Sequence, residues 1–216
     1  MTWTLLEIFD LIGTIAFAIS GAFVGIRKEM DVFGVNVLAV TTACGGGVVR
    51  DILVGQIPPK MFLNPRYVLV AAVVANIVFL LMYLHGRIPR RMAAVYDWTL
   101  FCFDTLGLAA FTVDGVMAAV NAGFVDNGFL LVFIGFLTGV GGGTLRDMMA
   151  NRIPDIFVKH IYALASIAGG VLMVVVYECT GSQRAAMIDG FLIVLVVRCL
   201  AAYFRWNLPK VKQPLL

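Results

Sequence analysis

Seven long apolar runs constrain the fold of this chain more than any other feature of its sequence. A bilayer core about 30 Å thick needs ~20 apolar residues for each spanning helix. The runs predict membrane spans at residues 5–26, 33–56, 66–84, 98–120, 127–150, 157–178 and 187–206. These spans use most of the 216 residues, which leaves no room for a soluble domain. The sequence therefore predicts an all-α integral membrane protein that forms one membrane domain over residues 1–216.

The composition excludes several other classes of protein. Hydrophobic residues make up 61% of the chain and charged residues 13%, whereas a soluble domain has roughly half apolar and a quarter charged residues. The four cysteines match no metal-ligand or redox spacing, and no hydrolase pair or phosphate-binding loop is visible. We therefore predict that the chain is not an enzyme, needs no cofactor and does not bind nucleic acid.

The distribution of basic residues between the loops predicts the orientation. Cytoplasmic loops carry an excess of Lys and Arg. The loops that follow the odd-numbered spans and those that follow the even-numbered spans lie on opposite sides of the membrane. One side collects Arg27, Lys28, Arg87, Arg90, Arg91, Arg152, Lys159, Arg205, Lys210 and Lys212, and the other only Lys60, Arg66 and Arg184. We predict an N-terminus outside the cytoplasm and a C-terminus inside it.

The sequence repeats itself internally. Residues 10–21 (DLIGTIAFAISG) and 104–115 (DTLGLAAFTVDG) agree at five of twelve positions, and residues 45–51 (GGGVVRD) and 141–147 (GGGTLRD) agree at five of seven. The first repeat covers residues 5–84, the second covers 98–178, and the span at 187–206 has no counterpart. Because each repeat holds three spans, the second enters the membrane from the opposite face. Many transporters have such inverted repeats, with binding sites near the midplane where paired helices are interrupted.

Two glycine triplets lie near the middle of the second and fifth spans. Each glycine weakens a helix by about 1 kcal/mol relative to alanine, and unpaired carbonyls in a membrane must face protein or water. One interpretation is a kinked or broken helix whose free carbonyls, near Gly45 and Gly141, line a polar path and bind Na⁺ or K⁺. The other is close helix packing through small residues. The candidate residues are Gly45, Gly46, Gly47, Gly141, Gly142 and Gly143, with Thr41, Thr42 and Thr138 one turn before them.

An Arg-Asp pair follows each triplet. Charges inside a membrane are rare and usually face an interior or a watery cavity. Depths estimated at 1.5 Å per residue predict two ion pairs, Asp10 with Arg50 and Asp104 with Arg146. The alternative is that each arginine pairs only with its neighbour, Asp51 or Asp147, or extends to the interface.

Other polar and aromatic residues in the spans are less easily assigned. Ser20 and Asp114 occupy equivalent positions in the two repeats, and Asp114 is a charge that the other repeat does not share. Arg198, in the last span, is given no role. Tyr67 and Tyr162 fall near span ends, where belts of aromatic residues are expected.

These residues and spacings resemble one known family. The paired GGGxxRD blocks, the DxxGxxAF starts and the three-plus-three-plus-one spans are similar to those of prokaryotic trimeric intracellular cation (TRIC) channels. The resemblance covers residues 5–206. It implies a homotrimer in the prokaryotic inner membrane, with a path for K⁺ and Na⁺ inside each protomer. It also implies that the second and fifth spans are kinked and line that path, with Gly45, Gly46, Gly47, Arg50, Gly141, Gly142, Gly143 and Arg146 as pore residues.

Related bacterial sequences have also been described as glycine transporters, so two functions stay open. A channel keeps a hydrated path, whereas a carrier binds one substrate and rocks around it. The arginines suit a cation path if Asp10, Asp51, Asp104 or Asp147 neutralises them, or if they close the path at rest. In a carrier, an amino-acid carboxylate would prefer an arginine and a helix N-terminus.

Overall fold

The computed structural model describes residues 4–85, 93–158 and 161–206. The described residues form nine α-helices: α1 (Leu5–Arg27), α2 (Val32–Leu53), α3 (Lys60–Leu63), α4 (Arg66–His85), α5 (Ala93–Asn121), α6 (Gly128–Met149), α7 (Asp155–Val158), α8 (Tyr162–Thr180) and α9 (Gln183–Tyr203). Seven of them, all except the short α3 and α7, are long and apolar enough to cross a membrane. The predicted all-α fold with seven spans is confirmed.

The span boundaries differ from the predicted ones by three residues or more at five places. α5 begins at Ala93 instead of residue 98, α9 ends at Tyr203 instead of residue 206, and the other three differences have a visible cause. α2 ends at Leu53 instead of residue 56, because Gly55 adopts a left-handed backbone (φ 79°) that terminates the helix. The sixth span begins at Tyr162 instead of residue 157, because Asp155–Val158 forms a separate helix. The last span begins at Gln183 instead of residue 187, since the Ser182 hydroxyl accepts a hydrogen bond from the Ala185 amide and caps α9.

Four helices form the centre of the bundle. α1 packs against α2 and α5, and α6 packs against α2 and α5. The span in α5 is 78% buried, whereas the span in α4 is only 11% buried and lies at the periphery. α8 and α9 pack on each other and cover the other side of α5 and α6. Most of the buried polar and charged side chains among the described residues belong to these four helices.

The glycine triplets lie where α2 and α6 cross. A Cβ added to Gly46 would collide with the Thr138 carbonyl, and one added to Gly142 would collide with the Thr42 carbonyl. A Cβ on Gly141 would lie 3.1 Å from the Gly46 Cα. The two backbones thus touch at a point where only glycine fits, which is the close packing that small residues allow in membranes.

Both helices continue through their triplets. α2 is one helix from Val32 to Leu53, and α6 is one helix from Gly128 to Met149. Of the predicted kinked or broken helices, the broken form is therefore excluded, because packing at the crossing outweighs the low helix propensity of glycine. A kink at either triplet stays a prediction, as does the division of the chain into two repeats and a last span.

The crossing predicts that two neighbouring glycines respond differently to substitution. Gly46→Ala should destabilise the protein by about 1–3 kcal/mol, because the methyl group overpacks the contact with Thr138. Gly47→Ala is the matched control, since its nearest neighbour outside the helix backbone is the Arg50 guanidinium, at an ordinary 3.5 Å. The measurement is thermal unfolding of the purified protein in detergent. Equal unfolding temperatures for the two variants would contradict the crossing.

Candidate functional site: two buried arginine clusters

The first cluster surrounds Arg146 near the end of α6, and we call it the Arg146 cluster. The Arg146 side chain is 1% exposed. Its Nη1 donates to Asp104 Oδ1 at 2.6 Å and also to the Ser20 hydroxyl. Its Nε donates to Asp147 Oδ1 at 3.0 Å. The predicted pair between Asp104 and Arg146 is confirmed, and Asp147 is a second partner.

The second cluster surrounds Arg50 near the end of α2, and we call it the Arg50 cluster. The Arg50 Nε donates to Asp51 Oδ1 at 2.9 Å, and Nη1 donates to Asp114 Oδ2. Among the described residues Arg50 forms no ion pair with Asp10, so that predicted pair is wrong. Asp10 lies near Arg50 and the Tyr67 hydroxyl, and it lines the same cavity as Arg50.

One difference between the two halves of the chain explains the different partners. Ser20 lies beside Arg146, and Asp114, at the equivalent sequence position, lies beside Arg50. A hydroxyl does not neutralise a guanidinium, so Arg146 also needs Asp104. A carboxylate does neutralise it, and bonds between charged groups are stronger than neutral ones. Arg50 is therefore satisfied by Asp114, which leaves Asp10 without its predicted partner.

Asp51 and Asp147 also fix the chain that follows each cluster. Asp51 Oδ2 accepts from the Lys60 backbone amide at 2.8 Å, at the start of α3. Asp147 Oδ2 accepts from the Asp155 backbone amide at 3.1 Å, at the start of α7. Each aspartate thus joins an arginine to the amide at the start of a short helix. Sequence reasoning missed this role, although an Ile-Pro pair recurs between each aspartate and its short helix.

The predicted threonines lie at the crossing of α2 and α6. The Thr42 and Thr138 hydroxyls donate to the carbonyls of Leu38 and Ile134, four residues earlier, both at 2.6 Å. Thr41 is half-buried, one turn before Gly45. The Thr42 and Thr138 hydroxyls are therefore used inside their own helices, as is common for threonine in membrane helices.

The carbonyls around Gly45 and Gly141 belong to continuous helices, whose carbonyls are paired along the helix. A Na⁺ or K⁺ site at these carbonyls stays a prediction, and the uninterrupted helices do not favour it.

Tyr162 belongs to the Arg146 cluster and not to an interfacial belt. It is 2% exposed, and its hydroxyl would lie 3.0 Å from a Cβ added to Gly143. The Arg198 guanidinium lies 4.8 Å from the centre of its ring and 4.9 Å from that of Phe101. Arg198 therefore binds two aromatic faces, an interaction that is stronger when desolvated. Tyr67 and Tyr162 both lie in the first turn of the helix that follows a short helix, α4 and α8 respectively, and that shared position could have placed both tyrosines at the clusters.

A cavity lies beside the Arg50 cluster. Its volume is about 50 Å³, and the exposed Lys60 lines it, so it reaches the protein surface. One water needs roughly 10–15 Å³ of such volume, so the cavity has room for several. Its polar lining is supplied mainly by Asp10, Thr14, Arg50, Asp51, Tyr67 and Asp114.

Buried charge clusters within seven membrane helices define a multi-pass membrane protein with a polar interior. A family model described as "Glycine transporter" matches residues 7–83 and 101–178. A UPF0126 membrane protein of Deinococcus radiodurans is 40% identical over 203 residues, which cover 91% of this chain and 89% of that protein. The chain belongs to the family that this model describes.

Solved structures of TRIC channels have the same fold. One, a TRIC cation channel, has a TM-score of 0.84 and 32% identity, and the match covers 99% of this chain and 100% of that one. Another, a trimeric intracellular cation channel orthologue from Rhodobacter sphaeroides, has a TM-score of 0.83 and 29% identity, and covers 94% and 100%. The resemblance to prokaryotic TRIC channels seen in the sequence is confirmed.

The clusters predict which carboxylate is coupled to Arg50. In a double-mutant cycle, Arg50→Gln and Asp114→Asn should show a coupling of about 0.5–3 kcal/mol, because the two side chains are in contact. The matched cycle of Arg50→Gln with Asp10→Asn should show a smaller one. Unfolding in detergent measures both cycles. A coupling with Asp10 that equals or exceeds the coupling with Asp114 would contradict the assigned pair.

Proposed function

We propose that this chain is a channel for monovalent cations, chiefly K⁺ and Na⁺, with a pore inside each protomer of a homotrimer. The observation that carries the proposal is the match to TRIC cation channels over 99% of this chain. The orthologue from Rhodobacter sphaeroides is described as trimeric, which supports the homotrimer. The same relationship argues against an enzyme.

The proposed path runs along the crossing of α2 and α6, between the two arginine clusters. The clusters lie at opposite ends of this crossing, because α2 and α6 run in opposite directions through the membrane and each arginine lies near the end of its helix. Three carboxylates (Asp10, Asp51, Asp114) accompany Arg50, and two (Asp104, Asp147) accompany Arg146. Carboxylates outnumber guanidinium groups at the Arg50 end, and rings of acidic side chains favour cations in channels.

The clusters also supply a gate. Breaking a buried ion pair is costly, because each charge left alone in low dielectric has lost its water. The pairs from Arg50 to Asp114 and from Arg146 to Asp104 each join different helices of the central four. While both sets of pairs are formed, the side chains hold the helices together and close the path. Opening requires Arg50 to leave Asp114 and Arg146 to leave Asp104, while their pairs with Asp51 and Asp147 stay formed.

Transport of a small amino acid such as glycine is the second candidate function. The description of the matching family model favours it. In such a carrier Arg50 or Arg146 would bind the substrate carboxylate, and the two clusters would open alternately. The proposed location for either function is the prokaryotic inner membrane, with the N-terminus outside and the C-terminus in the cytoplasm.

Planar-bilayer recording distinguishes the two functions. The purified chain should give unitary currents in symmetric KCl, and they should persist when chloride is replaced by a large anion, because the carrier of charge is the cation. Saturable glycine counterflow in liposomes together with no unitary K⁺ current would contradict the channel and support the carrier.

The proposed gate predicts how the open probability changes when one cluster loses a charged partner. Asp104→Asn should raise the open probability of the channel several-fold, because Arg146 loses the charge of one of its two carboxylate partners. Asp97→Asn is the matched control, since Asp97 pairs with Arg27 on the exposed surface, where such pairs contribute little. Single-channel recordings give both values. If Asp104→Asn has the same open probability as the control, the Arg146 cluster has no role in gating.

A further inference from the structure

We propose that the cavity beside the Arg50 cluster is a binding site for one partly hydrated monovalent cation, with Asp114 Oδ1 as its anchoring ligand. The inference rests on the proposed cation function and places the ion away from the glycine carbonyls. The two ends of the path are then unequal: arginine pairs close both, and only the Arg50 end also binds a cation.

The Asp114 carboxylate carries the inference. Its side chain is 1% exposed, and Oδ2 accepts from Arg50. Within the described part of the chain, Oδ1 has no hydrogen-bond partner, yet the residue lines the cavity. A buried carboxylate oxygen without a partner carries a large desolvation cost. A cation with its water in the cavity would remove that cost.

The charges around the cavity favour a cation over a neutral molecule. Asp10, Asp51 and Asp114 face it, against the single guanidinium of Arg50 and the ammonium of Lys60. Lys60 is exposed, so water screens its charge, whereas Asp51 and Asp114 are buried. The electrostatic potential inside the cavity is therefore negative, and the low dielectric constant of the surrounding protein strengthens it.

The other ligands favour a monovalent ion. Within residues 4–85, 93–158 and 161–206, no three side chains of His, Cys, Asp or Glu are placed to hold one metal ion, which is a poor arrangement for Ca²⁺ with its six to eight oxygen ligands. The cavity instead offers Asp114, the Thr14 hydroxyl and Asp10 with room for water. A weakly held ion with part of its hydration shell suits conduction, which requires that the ion can leave.

The Arg146 cluster shows why the site lies at only one end. The position equivalent to Asp114 is Ser20, whose hydroxyl accepts from Arg146. A neutral hydroxyl adds no charge, and its oxygen is already used. The exchange of serine for aspartate between the two halves therefore supplies the charge for the cation site at the Arg50 end alone.

The test locates a heavy monovalent cation in crystals of the full-length protein. Crystals soaked in a thallium(I) salt should show an anomalous peak within coordination distance of Asp114 Oδ1. Asp114→Asn should remove the peak, while the surface control Asp97→Asn should keep it. A missing peak in the unsubstituted protein, or a peak that persists in Asp114→Asn, would overturn the site. If Asp114→Asn does not fold, Thr14→Val, which removes one ligand, should weaken the peak, and an unchanged peak would overturn the site.

A second measurement separates this site from the proposed channel function. In detergent, K⁺ should raise the unfolding temperature of the unsubstituted protein relative to choline at equal ionic strength, because a ligand that binds only the folded state stabilises it. K⁺ currents without a thallium peak would overturn the site and leave the channel standing. A peak and K⁺ stabilisation without currents would leave the site standing and refute the channel.

Discussion

The burial of two arginines in a membrane protein is the constraint on which the rest of the structure depends. A guanidinium stays charged at any physiological pH, and a charge in a low-dielectric interior must be paired and hydrogen-bonded. Each arginine therefore needs carboxylates from a neighbouring helix as well as from its own. The glycine crossing of α2 and α6 brings the central helices close enough for these side chains to meet. Asp51 and Asp147 also fix the position of α3 and α7, because each accepts a hydrogen bond from the first amide of one of these short helices.

The near-symmetry of the two clusters makes their one difference informative. Both ends have an arginine, a neighbouring aspartate, a capped short helix and a tyrosine. Only the Arg50 end has a carboxylate at the position where the Arg146 end has Ser20. Because of this difference Arg50 pairs with Asp114 and not with Asp10, and Asp10 lines the cavity. The two ends of the proposed path therefore carry different charges and are not equivalent.

Much of the fold and part of the site could be predicted from the sequence. The apolar runs located the seven membrane helices, because length and hydropathy dominate the choice of spanning segments. The Asp104–Arg146 pair could be predicted from depth, since both residues lie toward the same end of the bundle. Depth did not exclude Asp10 as the partner of Arg50, because Asp10 and Asp114 lie near the same end and the choice depends on helix packing. The glycine triplets suggested a kinked or broken helix, but helix propensity describes one helix alone. It does not include the stabilisation from a second backbone packed against the triplets. The role of Arg198 was not visible either, because its aromatic partners come from two other parts of the chain.

The central claim is that ions cross inside the protomer, past the Arg50 cluster, and the native Cys44 tests it directly. Cys44 lines the cavity, and the other three cysteines can be replaced by serine without touching it. A positively charged methanethiosulfonate reagent is added to the protein with Cys44 alone during a bilayer recording. The account predicts that the current falls in steps as each protomer is modified, and that Cys44→Ser abolishes the effect. An unchanged current with Cys44 shown by mass spectrometry to be fully modified would contradict a path through the protomer.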